Sequence, residues 1–388
     1  MTHLAETILA PLHSLKETSV VGLHEPNLTG NELAYVTECI TSGWVSSVGK
    51  FVDQFERQLA DYVGVPKAVA VVNGTAALHL ALLLKGIKAE DEVLTPALTF
   101  VATTNAISYV GAIPHFIDSG VNDLSVCPEK LAVYLHEIAD VKQGKTINKK
   151  TGRVISALIV MHALGHPANM QALKKVAQDY QLILIEDAAE AMGSSIDDQH
   201  LGTLGDIGIF SFNGNKIMTT GSGGALVSRD ESLMQRAKHL STTAKASGDG
   251  FFYHDQVGYN YRLANINAAL GAAQLERLNQ FLFYKKNLAD YYKKYFNAQE
   301  NITFIEPQCG GVSNYWLCAI NLRDVTTQEL NTIIQRAHQE GFMLRPLWQL
   351  NNELPMYQQC PSMSLENAQR HVASTLCLPS SVSLGLLV

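Results

Sequence analysis

The stretch LILIED, residues 182–187, is a short apolar run that ends in two carboxylates. Such a run is typical of a strand buried on both faces of a parallel sheet. Before it, residues 170–180 have the length and spacing of a helix, and the apolar run 154–160 predicts another strand. The order strand, helix, strand favours two parallel strands joined by a crossover helix.

The same alternation extends towards the N-terminus, where the apolar runs 68–72 and 92–95 each precede a helix-like segment. The pattern predicts an α/β protein whose mostly parallel sheet is sandwiched by helices. From residue 279 the order changes to a charged helix, a strand-like run and another helix, which predicts a smaller C-terminal α+β domain. We therefore expect a large domain over residues 1–278, including the N-terminal segment, and a small domain over residues 279–388.

Composition excludes several classes of protein. The formal net charge is -7 with no long basic run, so a nucleic-acid partner is not expected. The 6 cysteines are scattered without a CxxC pair or a histidine cluster at metal spacing, which predicts reduced thiols and no metal site. No stretch reaches the roughly 18 to 20 apolar residues that cross a bilayer, and the N-terminus lacks the features of a signal peptide. We expect a cytoplasmic protein without a membrane partner.

A turn of small residues follows the first predicted strand. Gly74, Thr75 and Ala76 open a helix there. The free backbone N–H groups at a helix N-terminus converge on one point and suit a phosphate group. An ordinary strand-to-helix turn without a ligand has the same sequence, so the turn alone does not decide between the two.

Two side chains further along the chain have the chemistry of a catalytic site. Asp187 ends a buried strand, where a carboxylate can keep a heteroaromatic ring nitrogen protonated. Metal ligation and helix capping are the alternative uses, although no histidine lies at ligand spacing. Lys216 follows another apolar run among small and amide-bearing residues, where an amine can approach a ligand and form a Schiff base. A solvated surface lysine is the alternative.

The order of phosphate turn, strand-end aspartate and lysine resembles the DegT/StrS family of pyridoxal 5'-phosphate (PLP) dependent sugar aminotransferases. The resemblance covers nearly the whole chain, from Glu25 to the LPSS segment at 378–381. It implies PLP as the cofactor and the fold-type I architecture of aspartate aminotransferase. It implies that Lys216 is the Schiff-base lysine and later the proton shuttle, and that Asp187 pairs with the pyridinium nitrogen. The further cofactor contacts that it implies are the backbone of Gly74, Thr75 and Ala76, the side chain of Ser211, the stacked ring of Phe100, and Glu190 near the phenolic oxygen.

Two positions refine the resemblance. Glu190 departs from the histidine or glutamine that is commonest in the family, which leaves its protonation state open. The segment GYNYR at 258–262 matches the family segment whose asparagine, here Asn260, reaches the cofactor phosphate of the neighbouring subunit. This implies a homodimer, although a polar turn is the alternative reading. A branch of the family that dehydrates sugars has histidine where Lys216 stands, so the lysine favours transamination.

Three further stretches, residues 41–50, 162–167 and 345–357, are similar to enzymes that aminate UDP-4-keto-6-deoxy-N-acetylglucosamine. The similarity implies a nucleotide-sugar substrate that receives its amino group at carbon 4, with L-glutamate as the expected amino-acid donor. Another keto-sugar nucleotide, linked to GDP or dTDP and with a 3-keto or 4-keto group, and a non-catalytic PLP-binding regulator stay open as alternatives. The candidate substrate contacts are Trp44, His166, Arg345 and Trp348, with core packing the alternative for both tryptophans.

Overall fold

The computed structural model describes residues 2–246 and 252–388. Within these ranges no helix is both long enough and apolar enough to cross a membrane. The helices are α1 (Thr2–His13), α2 (Glu32–Ser42), α3 (Lys50–Val63), α4 (Gly74–Leu84), α5 (Val101–Tyr109), α6 (Pro128–Ile138), α7 (Met170–Asp179), α8 (Glu231–Ser241), α9 (Asn265–Leu275), α10 (Leu278–Phe296), α11 (Thr327–Gln339) and α12 (Glu366–Ser374). The strands are β1 (Lys67–Val71), β2 (Glu92–Pro96), β3 (Ile113–Ile117), β4 (Ala139–Lys142), β5 (Lys145–Asn148), β6 (Val154–Met161), β7 (Ile183–Asp187), β8 (Ser195–Ile196), β9 (Gln199–His200), β10 (Ile207–Ser211), β11 (Gly224–Ser228), β12 (Ile302–Phe304), β13 (Ala319–Leu322), β14 (Arg345–Pro346) and β15 (Thr375–Cys377).

The large sheet has the strand order β1, β11, β10, β7, β6, β2, β3. Strands β10, β7, β6, β2 and β3 are parallel to one another, whereas β11 is antiparallel to both β1 and β10. The predicted mostly parallel sheet is confirmed. In the register of the central strands, Asp187 at the end of β7 lies opposite Met161 of β6 and Ile209 of β10. The carboxyl end of β7 therefore lies in the interior of the sheet, away from its edges.

Alternate residues of the strands pack into different layers of helices. In β1, Ala68 and Ala70 pack with α3 and α9 on one face, while Val69 and Val71 pack with α4 and α8 on the other. This alternation follows from the two-residue period of a strand. Because both faces are covered, the strands are mainly apolar, as the LILIED run predicts. The sheet sandwiched by helices is the expected fold-type I architecture.

The smaller unit contains an antiparallel sheet of order β12, β13, β15, β14. Its core also includes Ile8, Leu9 and Leu12 of α1, which pack with residues of α10 and α11. The sequence predicts the N-terminal segment as part of the large domain, whereas this helix packs on the small one. The cause is the apolar face of α1, which is buried against the C-terminal helices. The division between residues 278 and 279 stays a prediction.

Helix α10 connects the two cores. Leu278 and Phe281, near its start, pack with the large sheet, and Leu288 and Tyr292, further along, pack in the smaller core. Between them lies Lys285, whose side chain is fully buried. Its ammonium group donates to the backbone carbonyl of Trp316, at 3.0 Å, and to that of Ser380. Burial lowers the pKa of Lys285 to about 7.

This lysine predicts a pH dependence of stability. Because its pKa is lowered from 10.5 to about 7, the unfolded chain binds a proton between these values that the folded chain does not. We therefore expect the wild type to gain stability relative to the Lys285→Met variant as the pH increases through this window. The difference between their free energies of unfolding, wild type minus variant, should rise. Urea denaturation of both cofactor-free proteins at several pH values measures the difference.

The matched control is Lys286→Met, which removes an exposed lysine from the next position of the same helix. Comparing the two variants separates the effect of burial on stability from the effect of losing a positive charge. A wild-type minus Lys285→Met difference that stays constant or falls across the window would contradict the assignment.

Candidate active site

A cavity of about 360 Å³ lies at the carboxyl ends of β6, β7 and β10. Parallel strands end together at one edge of a sheet, so the loops that follow them converge there. The smaller unit closes the other side of the cavity through residues near β13 and β14. Of the residues predicted from the sequence, those that line this cavity are Gly74, Thr75, Phe100, Asp187, Glu190, Ser211, Lys216, Arg345 and Trp348.

The carboxylate of Asp187 is buried at the inner end of the cavity. Its Oδ2 accepts a hydrogen bond from the Thr103 hydroxyl at 2.6 Å, and its Oδ1 accepts one from the N–H of Ala189 at 3.2 Å. Burial raises the pKa of Asp187. Within the described ranges no basic side chain lies within 4.0 Å of it. A fixed, desolvated carboxylate of this kind stabilises a cationic ring nitrogen.

The amine of Lys216 lies across the cavity from the sheet, 3.4 Å from Oε1 of Glu190. The same amine lies 4.0 Å from the ring centroid of Trp316, within the range of a cation–π contact. Glu190 is held in place because its Oε2 accepts the N–H of Leu164 at 2.9 Å. Burial raises the pKa of Glu190, while the Lys216 charge opposes that shift. The lysine amine is therefore oriented by two groups, the Glu190 carboxylate and the Trp316 ring.

The N-terminus of α4 forms the remaining wall. The N–H groups of Gly74 and Thr75 lie in the first turn of the helix, where no carbonyl of the same helix can accept from them. A Cβ at position 74 would lie 3.0 Å from Cβ of Ser211, so glycine permits this close approach. Ala76, predicted as a third phosphate contact, instead donates its N–H to Asn73 Oδ1 at 2.8 Å, because Asn73 caps the helix.

These groups fit PLP. The glycine-lined helix terminus beside Ser211 suits the phosphate, and the buried carboxylate of Asp187 suits the pyridine nitrogen. The amine of Lys216 suits the aldehyde carbon, and all of these side chains line one cavity. Phe100, predicted to stack on the ring, lies at the start of α5 with its side chain about half exposed at the cavity.

Besides Ala76, three predicted residues do not line this cavity. Trp44 is 58% exposed and lines a separate surface cavity. His166 is buried, with its Nδ1 2.9 Å from the Ser313 hydroxyl, and burial lowers its pKa to about 4. Asn260 is exposed and pairs with Thr242 through an isolated bridge. His166 therefore packs in the interior, while Trp44 and Asn260 lie on the surface.

Sequence reasoning missed the segment that precedes β13. Nδ2 of Asn314 donates to the carbonyls of Glu190 and Met192 at 2.8 and 2.9 Å, and its Oδ1 accepts the N–H of Trp316 at 2.7 Å. The indole N–H of Trp316 donates to the carbonyl of Asn215 at 2.7 Å. The polar and aromatic residues of SNYW at 313–316 are the available signal, since they directly precede the apolar run 317–320.

Comparison with known proteins agrees with this geometry. The model of the DegT/DnrJ/EryC1/StrS aminotransferase family matches residues 26–386. A GDP-perosamine synthase of Escherichia coli O157:H7 is 38% identical over 338 residues, covering 87% of each chain. A UDP-4-amino-4,6-dideoxy-N-acetyl-beta-L-altrosamine transaminase of Campylobacter jejuni is 35% identical over 261 residues, covering 66% of this chain and 65% of that protein. The crystal structure of the aminotransferase TlmJ from Streptoalloteichus hindustanus is 28% identical and superposes with a TM-score of 0.83, covering 93% of each chain.

The fold and the cavity thus define a PLP-dependent aminotransferase of fold type I. The chain belongs to the DegT/DnrJ/EryC1/StrS aminotransferase family, whose members include PLP-dependent sugar aminotransferases. Family membership confirms PLP as the cofactor predicted from the sequence.

The environment of Asp187 predicts opposite effects on stability and on cofactor binding. Asp187→Asn keeps the shape of the side chain and removes a buried charge that has no cationic partner. Near neutral pH the free energy of unfolding of the cofactor-free variant should be about 1 to 2 kcal/mol higher than that of the wild type. Its affinity for PLP should fall about tenfold or more, because a charge-assisted hydrogen bond is lost. Chemical denaturation and titration with PLP measure the two quantities.

Asp118→Asn is the matched control. Asp118 is also a buried carboxylate just past a strand, but Lys130 donates to it at 2.7 Å and the N–H of Ala368 at 2.9 Å. Its substitution should lower stability and leave PLP affinity nearly unchanged. Loss of stability in Asp187→Asn, or unchanged PLP affinity, would overturn the role assigned to Asp187.

Proposed function

We propose that this chain transfers an amino group from L-glutamate to carbon 4 of a nucleotide-linked 4-keto-6-deoxy sugar. UDP-4-keto-6-deoxy-N-acetylglucosamine is the favoured substrate. One observation carries the proposal: the amine of Lys216, the carboxylate of Asp187 and the open N-terminus of α4 line the same cavity. Two of the relatives described above have names that specify a nucleotide-linked sugar, one linked to GDP and the other to UDP. They support a nucleotide sugar as the substrate class.

Different residues of the cavity would bind different parts of the cofactor. Gly74, Thr75 and Ser211 would bind the phosphate, and Asp187 would keep the ring nitrogen protonated. When bound, PLP supplies an electron-poor ring that accepts negative charge from the carbon next to the transferred nitrogen. Thr103 and the N–H of Ala189 hold the Asp187 carboxylate in one orientation, so its charge needs little rearrangement during the reaction.

Lys216 would attach the cofactor and act as the base and acid of the reaction. Its amine would remove a proton from the α-carbon of the amino acid, and later deliver one to carbon 4 of the sugar. The face of Trp316 and the carboxylate of Glu190 both contact this amine. They would keep the released ammonium group within the cavity between the two transfers.

The choice of UDP and of the N-acetyl sugar rests on the similarity of residues 41–50, 162–167 and 345–357 to enzymes that use this substrate. Arg345 and Trp348, from the last of these stretches, line the cavity and offer a cation and an aromatic face. A GDP-linked or dTDP-linked sugar, with a 3-keto or 4-keto group, and a PLP-binding regulator are the alternative outcomes of the test.

We also propose a homodimer in which Asn260 of each subunit contributes to the partner's site. Asn260 is exposed and lies outside the cavity of its own chain, as a residue that serves another subunit would. The second cavity, of about 430 Å³, is lined by Trp44, Lys50 and Arg262. The Nε of Arg262 is buried there without a hydrogen-bond partner. The exposed indole and this cation are suited to contact a second copy of the chain.

The substrate prediction is tested by supplying PLP-loaded enzyme and L-glutamate with UDP-, GDP- and dTDP-linked keto sugars. Mass spectrometry of the products should detect the 4-amino sugar from UDP-4-keto-6-deoxy-N-acetylglucosamine, with the highest kcat/KM of the series. A higher kcat/KM with a GDP- or dTDP-linked sugar would correct the nucleotide. Absence of product from every sugar would favour the regulator.

Lys216→Ala should abolish steady-state transamination and the covalent adduct that hydride reduction traps between protein and PLP. Intact-protein mass spectrometry after reduction measures the adduct. Lys175→Ala, which removes an exposed lysine of α7, is the control and should retain both properties. Retained turnover in Lys216→Ala would contradict the assignment.

A further inference from the structure

Lys285 is buried where three separate stretches of the chain meet. It belongs to α10, and its amine donates to the carbonyl of Trp316, at 3.0 Å, and to that of Ser380. Both carbonyls belong to buried residues outside the strands. Among the described residues, no other group donates a hydrogen bond to either of them. Lys285 therefore satisfies two carbonyls that would otherwise be buried without a donor.

Charge pairing does not explain why an amine occupies this position. In the part of the chain that the structure describes, no carboxylate lies within 4.0 Å of the Lys285 amine. The charge of Lys285 also acts on His24, a second buried base, which offers no counter-charge. Burying an unpaired amine is costly, and a methionine would fill similar space without that cost. The two hydrogen bonds are therefore what the lysine supplies.

The turn that carries Trp316 needs such support because its backbone is strained. Tyr315 has a φ of 46°, in the left-handed region that an aromatic residue rarely adopts. A conformation of this kind persists only where the surrounding contacts hold it. The N–H of Trp316 is held by Oδ1 of Asn314 at 2.7 Å, and its carbonyl is held by Lys285. The backbone of Trp316 is thus fixed on both sides.

The indole of Trp316 links this backbone to the amine of Lys216. Its N–H donates to the carbonyl of Asn215, the residue before Lys216, at 2.7 Å. Its ring centroid lies 4.0 Å from the Lys216 amine. A shift of the Trp316 backbone would therefore move the surface on which the amine packs. Displacing a reacting group by about 1 Å can slow a reaction strongly, so the position of this surface affects the chemistry of the amine.

We propose that Lys285 is a positioning residue, which holds the strained turn at 315–316 so that the indole of Trp316 orients the amine of Lys216. Lys285 does not line the cavity, so it acts through the tryptophan and touches neither cofactor nor substrate. The inference rests on the proposed function only for the role of Lys216 in attaching PLP, and it does not depend on which sugar is aminated.

A double-substitution cycle tests whether the effect of Lys285 passes through Trp316. Each cofactor-free protein is mixed with PLP, reduced with borohydride at set times and analysed by intact-protein mass spectrometry. The measured quantity is the rate of adduct formation per unit PLP concentration. Lys285→Met should lower this rate about tenfold. In the Trp316→Leu background, where no indole is left to position, the same substitution should lower it less than about twofold.

Two further variants complete the cycle. Lys286→Met removes the exposed lysine that pairs with Asp290, and it should keep the parent rate in both backgrounds. Lys285→Gln keeps an N–H donor pair on a shorter, uncharged side chain, so its rate should lie between those of the wild type and Lys285→Met. Equal fold losses from Lys285→Met in both backgrounds would show that Lys285 acts independently of Trp316 and would overturn the proposal. An unchanged rate in Lys285→Met would overturn it as well.

A second readout needs no cofactor. The 3 tryptophans of the chain are labelled with fluorotryptophan, and the fluorine NMR spectrum of the cofactor-free protein is recorded. The Trp316→Leu variant assigns the Trp316 resonance by its absence. Lys285→Met should shift or broaden this resonance and leave that of Trp44, which lines the separate surface cavity, unchanged. If Lys285→Met does not fold, Lys285→Gln serves in both measurements. A Trp316 resonance that the substitution leaves in place would contradict the proposal.

Failure of the proposed sugar transfer gives a different result. In that case the wild type would still form the PLP adduct, but it would not pass an amino group to any keto sugar. The adduct rates and the fluorine spectra involve no sugar, so they would still decide whether Lys285 acts through Trp316.

Discussion

The buried carboxylate of Asp187 is the constraint on which the rest of the structure depends. It lies at the end of an interior strand, held by Thr103 and by a backbone N–H, without a cation within 4.0 Å in the described ranges. An isolated buried charge is costly. A protonated ring nitrogen bound beside Asp187 would supply the counter-charge that the carboxylate lacks. The parallel sheet makes the arrangement possible, because its interior strands end together beneath one set of loops. The lysine amine and the helix N-terminus face the same space, and each supplies one requirement of the cofactor.

The smaller unit supplies the second wall of this cavity. Asn314 ties its first segment to the loop that carries Glu190, and this contact positions the indole of Trp316 under the amine of Lys216. Lys285 fixes the backbone of the same tryptophan from the opposite side. A ring held this firmly gives both cations of the cavity a surface to pack on without neutralising either.

Much of the site was predictable because its residues follow local rules. A strand-end aspartate, a helix start made of small residues and a lysine after an apolar strand are each recognisable within a few residues of sequence. Asn314 and Trp316 were not predicted, since their importance comes from partners about a hundred or more residues away in the chain. His166 shows the converse: a histidine beside a glycine and a proline resembles a ligand contact, yet its ring is buried against Ser313.

The sequence by itself determined the alternation of strands and helices, the mostly parallel sheet and the chemical identity of the cofactor site, because apolar periodicity and short motifs act over local distances. Only the tertiary structure decided that the N-terminal helix packs with the small unit and that the N–H of Ala76 is taken up by the capping side chain of Asn73. It also decided that Arg345 lies between two tryptophan rings without a carboxylate partner. These features depend on which surfaces meet when the two cores pack. The burial and pairing of residues distant in sequence produce no periodic pattern in the sequence.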